Sequence, residues 1–231
     1  IDGLFKGPFV RARLPFAPTS SAWKVDVPNY PEGFTPYIHQ AKAFQRLSSA
    51  HGHQPQSTIV TTGTGSGKTE AFLLPILDHA ARARAEGVQG TKAIILYPMN
   101  ALANDQAQRI AELITTVPGY EHVTAALYTG PGGSRTKVTK DGLITDRNVI
   151  RSQPPDILLT NYKMLDFLLL RPEDAKIWRQ SADSLTYLVL DEFHTYDGAQ
   201  GTDVAMLLRR LGMTLRSQAS SARKAAWDTP L

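Results

Sequence analysis

The sequence predicts a doubly wound α/β domain, a mainly parallel sheet with helices on both faces. Three observations predict it. Short, nearly continuous apolar runs such as Lys92–Tyr97 (KAIILY), Asp156–Thr160 (DILLT) and Leu185–Leu190 (LTYLVL) read as strands buried on both sides. Stretches with helical periodicity alternate with them. A Gly-rich turn lies between a β-branched run and a helix, where such sheets bind ligands beyond the carboxyl ends of their strands.

The elements run in order along the chain. Residues 1–35 are rich in proline and aromatics (Phe5, Pro8, Phe9, Pro15, Phe16, Pro18, Trp23, Pro28, Pro31). Proline at that density blocks long helices, so this segment is expected to be extended and packed on the surface of the α/β domain. From Tyr37 to Leu47, Tyr37, Ile38, Ala41, Phe44 and Leu47 share one helical face. Thr58–Thr62 (TIVTT) reads as a β-branched strand, and Lys68 to about Ala85 as a helix kinked at Pro75. Strand Lys92–Tyr97, helix Asn100–Thr115, strand His122–Tyr128, strand Asp156–Thr160 and helix Tyr162–Leu170 come next. Strand Leu185–Leu190 and a helix from about Ala199 to Leu215 complete the pattern. The expected organisation is an extension at 1–35, an α/β domain at 36–216 and a tail or linker at 217–231.

Composition narrows the class. Of 231 residues, 42% are hydrophobic and 20% charged, an ordinary globular balance. The absence of cysteine excludes disulfides and thiolate metal sites. Apolar runs such as Ala71–Leu77 are too short to span a bilayer, and IDGLFKGPFV does not read as a signal peptide, so a cytoplasmic protein away from membranes is expected. A net charge of +4 permits a nucleic-acid partner without requiring one.

Two motifs carry chemistry. After TIVTT comes Thr62-Gly63-Thr64-Gly65-Ser66-Gly67-Lys68-Thr69. The glycines allow successive amides to turn inward on a phosphate, and the following helix start adds partial positive charge. Lys68 would bridge the β- and γ-phosphate oxygens of ATP, and the Thr69 hydroxyl would hold Mg²⁺. Thr62 stands where a strict phosphate loop has its first glycine. The second motif, Asp191-Glu192-Phe193-His194, lies 123 positions after Lys68 at a strand tip. Asp191 is placed to take the Mg²⁺ through a water, and Glu192 to orient or deprotonate an attacking water. A Gly-rich turn with a chance lysine and a chance acidic pair are the bland alternatives. Strand before, helix after and both motifs in one chain weigh against them.

The pairing of TGTGSGKTE with DEFH resembles the superfamily 2 DEAD/DEAH-box helicases, over roughly residues 30–215. Phe193 replaces the usual alanine without touching ligand or base. The resemblance implies a RecA-like P-loop domain with Gln40 reading the adenine ring and Tyr37 or Phe34 stacking on it. Pro98, Asn100 and Ala101 in YPMNALANDQ, with Thr129-Gly130 and Thr160-Asn161, resemble motifs that touch the nucleic-acid backbone. His194 would couple the two sites. The runs YPMNALANDQ, PPDILLTNYKMLDFLLLRPED and HTYDGAQGTDVAMLLRRLG resemble large bacterial helicases related to MrfA and Lhr, including those of phage-defence islands such as Druantia and DISARM. Asp197-Gly198 and Gly201-Thr202-Asp203 depart from the Arg-Gly and Gly-Ser-His of MrfA-like enzymes.

In this superfamily a second RecA-like domain supplies arginines to the transition state. No Ser-Ala-Thr motif and no arginine-rich sixth motif follow DEFH; QASS at 218–221 does not supply the former, and Arg209 and Arg210 read as helix-surface residues. The expectation is a piece of a larger motor, with weak or no ATP hydrolysis alone, a nucleic-acid partner (DNA rather than RNA), a second RecA-like domain of the same polypeptide and possible defence-system partners. Two alternatives stay open: a P-loop ATPase remodelling proteins, and a nucleotide-sensing module.

Residues 130–155 form a Gly- and Pro-flanked basic segment that is either a solvated loop or a phosphate contact through Arg135, Lys137, Arg147 and Arg151. His51 and His53 read as solvated linker residues, and Trp23, Trp178 and Trp227 as packing residues.

Overall fold

The structure, a computed structural model, describes residues 16–63 and 65–227. Four strands, β1 (Ala93–Tyr97), β2 (Ala125–Tyr128), β3 (Ile157–Asn161) and β4 (Tyr187–Leu190), pair in the order β2-β3-β1-β4. Every pairing is parallel. The central strands β1 and β3 read as continuous apolar runs because both of their faces are covered.

One face packs on α2 (Lys68–Ala85) and α3 (Asn100–Thr116), with Leu73, Leu77, Ile110 and Ile114 against Ile95 and Leu159. The other packs on α5 (Tyr162–Leu170), α6 (Ala175–Ser181) and α7 (Gly198–Gln218), with Leu165, Leu168, Ile177, Leu207 and Leu211 against Ile94 and Leu158. Alternate strand residues thus serve opposite cores, as the pleat requires.

α1 (Ile38–Leu47) lies against α2. The described part of the N-terminal extension folds onto them: Trp23 and Val27 are buried with Phe44 and Leu74. Phe34, half-buried, packs against this cluster, 5.8 Å from the Trp23 ring and 6.5 Å from that of Phe44. The C-terminal tail is attached as well. Ala219 is buried, Arg223 donates to Leu185 O at 2.9 Å and Trp227 Nε1 to Ala182 O at 3.3 Å, so Ala219 and Trp227 fasten the described end of the chain to the second core. Trp178 is buried with Nε1 donating to Leu168 O.

One expected strand is absent: Thr58–Thr62 forms none. Ile59 is 86% exposed, and the segment is held by side chains instead: Arg46 donates to Ser57 O and Thr58 Oγ1, and Lys68 Nζ to Thr62 O. β-branched residues favour a pleat only where an edge receives them, and this run pairs with none. Among the described residues, the outer side of β4 carries no strand. α2 contains Pro75, which is buried, at the position where a kink is expected. The basic segment is partly structured: Asp146 caps α4 (Arg147–Ser152) through Asn148 N and Val149 N, and Leu143 and Ile144 are buried. Ile144 donates to Ala125 O and accepts from Leu127 N, a one-residue addition along the outer side of β2.

At the amino-terminal edge of the sheet a buried knot fixes the strands. Asp156 accepts Lys92 Nζ at 2.8 Å, Arg84 Nη1 at 2.9 Å, and the amide and hydroxyl of Thr124, each at 2.7 Å.

Candidate nucleotide and nucleic-acid site

The carboxyl-terminal edge gathers the motifs. α2 begins at Lys68 immediately after the Gly-rich turn, with Gly65 and Gly67 at φ 76° and 72°. Gly67 is required twice: its backbone is left-handed, and a Cβ there would sit 2.3 Å from Gln40 Nε2. Thr64 lies outside the described residues. Lys68 Nζ donates to Thr62 O at 3.1 Å and Gly63 O at 3.3 Å, so the ammonium is folded into the turn it would share with phosphates. Ser66 is buried, its hydroxyl 2.6 Å from Thr62 Oγ1.

Gln40 is buried beside this turn. Its Nε2 donates to Gly67 O at 2.9 Å and its Oε1 accepts the Tyr37 amide at 2.8 Å, so both ends of the carboxamide are engaged between α1 and the loop. His39 Nε2 donates to Ser66 O at 2.8 Å, a support that sequence reasoning missed. The only signal for it was adjacency to Gln40. Tyr37 stacks on His39 with ring centroids 5.7 Å apart, so Tyr37 stands at the rim of the turn. Glu70 of α2 pairs with Arg109 of α3, tying the two helices that flank the turn.

At the tip of β4, Asp191 follows Leu190, its amide donating to Leu96 O at 3.0 Å. Burial pushes the Asp191 carboxyl above its ordinary value; the Glu192 amide opposes this, the Glu192 charge adds to it and Lys68 draws it back down. A desolvated carboxylate with a lysine in electrostatic reach is a place where a divalent cation would offset the cost of burial. Glu192 is held at φ 49°, ψ 43°, a left-handed conformation that costs a non-glycine residue energy and recurs at working sites. His194 Nδ1 lies 3.4 Å from Glu192 Oε2, with the imidazole largely exposed. Thr69 sits in the first turn of α2, half-buried.

The proposed strand-gripping residues meet at the tips of β1, β2 and β3. Asn161 Nδ2 donates to Asn100 Oδ1 at 2.6 Å, and Asn161 Oδ1 accepts the Met164 amide as the cap of α5. Asn100 opens α3, whose first amides face the same edge. Pro98 and Ala101 flank it, Ala101 exposed. Thr160 departs from expectation: it is fully buried and its hydroxyl donates to Tyr128 O at 2.7 Å, so it ties β3 to β2 and leaves the exposed contact to Asn161. Thr129 and Gly130 border a 280 Å³ cavity with Asn100, Asn104, Thr145 and Arg147.

Two of the basic residues grouped by the sequence, Arg147 and Arg151, separate here. Arg147 lies in this cavity, donating to Gly130 O with its guanidinium 5.0 Å from the Tyr128 ring centroid. Arg151 points away and is consumed by Asp174 at 2.6 Å and Glu173 at 2.7 Å. Arg135 donates to Leu143 O. Arg210 pairs with Asp166 on the surface of α7, and Arg209 is exposed there.

Residues 37–224 match the DEAD/DEAH box helicase family. The chain is 30% identical to Druantia protein DruE of Escherichia coli (strain UMEA 4076-1), the match covering 76% of this chain and 15% of that protein. It is 33% identical to the uncharacterized ATP-dependent helicase YprA of Bacillus subtilis (strain 168), over 76% of this chain and 20% of that one. Among solved structures it is similar to the DUF1998 helicase MrfA bound to DNA and AMPPNP, with a TM-score of 0.62 at 25% identity, covering 89% of this chain and 27% of the other. The Mycobacterium smegmatis helicase Lhr bound to ssDNA and AMP-PNP gives a TM-score of 0.59 at 25% identity, covering 78% and 21%. The chain thus spans a fifth or less of the length of the two named sequence relatives.

Proposed function

The chain belongs to the DEAD/DEAH box helicase family, and from that premise we propose that it is the ATP-binding motor domain of a larger nucleic-acid helicase or translocase. The observation that carries this reading is the placement of Lys68, in a left-handed glycine turn, within electrostatic reach of Asp191 at the neighbouring strand tip. Bound Mg·ATP would supply the transferable phosphoryl group and the metal charge. Lys68 and the amides of Gly63, Thr64, Gly65, Ser66 and Gly67 would hold its phosphates, Thr69 and Asp191 its metal, and Glu192 would orient the attacking water and take its proton. Gln40 and Tyr37 would meet the adenine ring, which requires Gln40 to exchange one of its present partners.

Pro98, Asn100, Ala101, Thr129, Gly130 and Asn161 would touch the backbone of a bound strand, with Thr160 behind them and His194 linking the two sites. DNA is favoured over RNA by the similarity to MrfA and Lhr, each solved with DNA. The similarity to DruE supports a phage-defence setting and partners within such a system. The domain would span residues 36–216, work with a second RecA-like domain of the same polypeptide, and hydrolyse ATP weakly without it. No described helix is long and apolar enough to cross a membrane, and we place the protein in the cytoplasm.

The test is binding of single-stranded DNA and of RNA of the same sequence to the full polypeptide, with and without a non-hydrolysable ATP analogue, beside turnover by Glu192→Gln. Nucleotide-dependent strand binding and a loss of turnover by about 10²-fold or more are expected. Undiminished turnover in that variant overturns the assignment of the base. Strand affinity indifferent to nucleotide favours the protein-remodelling or sensing alternatives.

A further inference from the structure

We infer that the cavity at the tip of β2 is a subsite for one phosphodiester group of the bound strand, with the Arg147 guanidinium as its cation. The inference rests on the nucleic-acid reading above and deepens it with a charged contact that the strand-tip residues do not supply.

The cavity is defined by charge as well as by shape. Its volume is 280 Å³, and Asn100 and Asn104 of α3, Thr129, Thr145, Arg147 and a run of glycines stand on its walls. No aspartate or glutamate is among its described lining residues, so Arg147 brings the one formal charge there. Arg147 is half-buried and has no carboxylate partner among the described residues. Other arginines have one: Arg82 has Asp78, Arg84 has Asp156, Arg109 has Glu70, Arg151 has Asp174 and Arg210 has Asp166. A guanidinium partly withdrawn from water gains most from an anion that its planar fork can meet, and phosphate oxygens match that fork.

The guanidinium is in place before any strand arrives. It donates to Gly130 O and lies over the Tyr128 ring, 5.0 Å from its centroid, so the end of β2 holds it from two sides. One carbonyl takes one N–H of the five that an arginine carries, which leaves donors for a phosphate.

The segment that walls the cavity is folded around it. Residues 131–146 double back on themselves: Gly133 N donates to Thr145 O at 3.0 Å, Thr145 N to Arg135 O at 2.9 Å, and Thr139 and Gly142 exchange bonds at 3.0 Å each. Gln108 Nε2 donates to Lys140 O at 2.6 Å, which ties the far end of this flap to α3. Glycine is needed where the flap passes the cavity. A Cβ at Gly133 would lie 2.3 Å from Thr145 Oγ1, and one at Gly132 would press on Arg147 Nε at 3.1 Å. The volume is several times the ~30 Å³ share of one water, room for a phosphate and part of a sugar. It falls below the range of about 300–1,000 Å³ usual for small-molecule pockets. The cavity also shares Asn100, Thr129 and Gly130 with the proposed row of strand contacts, so a strand lying on that row passes its mouth.

The experiment uses the full polypeptide, wild type and Arg147→Gln, with Mg·AMPPNP and a DNA duplex carrying a single-stranded tail, whose junction fixes the register. Tails carry one methylphosphonate linkage at each position in turn, which removes a single charge, and affinity is read by fluorescence anisotropy. Each linkage that the wild type grips should weaken binding by about ten-fold when neutralised. Arg147→Gln should bind the unmodified tail about ten-fold more weakly, ignore neutralisation of one of those linkages to within about two-fold, and answer the others as the wild type does. Its melting temperature should match that of the wild type. A variant profile parallel to the wild type's at every linkage overturns the inference, and so does a wild type that binds the tail but responds at no linkage. Inorganic phosphate, compared with chloride at equal ionic strength, should not displace the tail. Displacement that Arg147→Gln abolishes overturns the assignment to a strand and makes the cavity a site for the free anion. A wild type that binds no tailed duplex overturns the nucleic-acid reading, and this inference with it.

Discussion

The two edges of this one sheet are built on opposite rules. At the amino-terminal edge, the buried Asp156 carboxylate receives donors from Lys92, Arg84 and Thr124, and Lys92 also donates to Val88 O. At the carboxyl-terminal edge, the Lys68 ammonium rests on loop carbonyls, Glu192 sits in a left-handed conformation and the hydroxyls of Tyr97, Tyr128 and Tyr196 are buried without partners among the described residues. The same strands thus end in a satisfied knot around Asp156 on one side, where the buried Thr91 hydroxyl beside it is left without a partner among the described residues, and in more spare bonding capacity on the other. Saturated charges hold a fold together, and unsaturated ones leave room for something to bind.

The largest way to break the contrast is Asp156→Ala, which strands Lys92 in the interior without its carboxylate. A loss of about 3–5 kcal/mol in urea unfolding is expected, approaching the whole stability of a domain. Acidification should act next. His79 is half-buried and bonded to Ser49 Oγ at 2.6 Å; desolvation first, and the charges of Arg82, Lys92 and Arg223 after it, lower its pKa from 6.5 to about 4. The unfolded chain therefore binds this proton before the folded one does. Its share of stability is whole above pH 6.5 and declines as pH falls toward 4, by at most about 3 kcal/mol, and unfolding curves of His79→Gln should be flatter across that window.

A third change sharpens the contrast inside the basic segment. Arg151→Glu should cost about 2 kcal/mol of stability, because it leaves the buried Asp174 unanswered. Arg147→Glu should leave stability nearly intact while reducing single-strand affinity and lowering its salt slope by about one. Equal effects of the two reversals on strand binding would refute that division. The smallest effect is expected from Glu192→Gly. Relief of the left-handed backbone should raise stability by no more than about 1 kcal/mol while turnover is lost, the signature of a residue kept for work rather than for folding.

Much of this is legible in the chain. The helices beginning at Lys68 and Tyr162 start where glycine or asparagine precedes an apolar-periodic run, and those signals are local. The apolar runs of β1 and β3 are unambiguous because both faces are buried, and the family match covers the motifs in their order along the chain. What stays hidden depends on partners distant in sequence. TIVTT has strand propensity, but no described edge takes it up. Arg147 and Arg151 look alike until Asp174 is seen to claim one of them. Thr160 and Asn161 are neighbours with opposite fates, because the pleat turns one hydroxyl toward Tyr128 and exposes the next side chain. Phe34 reads as a stacking platform, and the sequence does not reveal that its half-buried ring also packs on Trp23 and Phe44.

The lone pairing of Ile144 with β2 has a consequence for handling the molecule. By occupying Ala125 O and Leu127 N it denies that border to any foreign strand. The opposite border, along the half-buried Leu188, Val189 and Leu190, has no such guard among the described residues. Concentrated solutions of the chain should therefore clump from the β4 side, through the free backbone groups of that border.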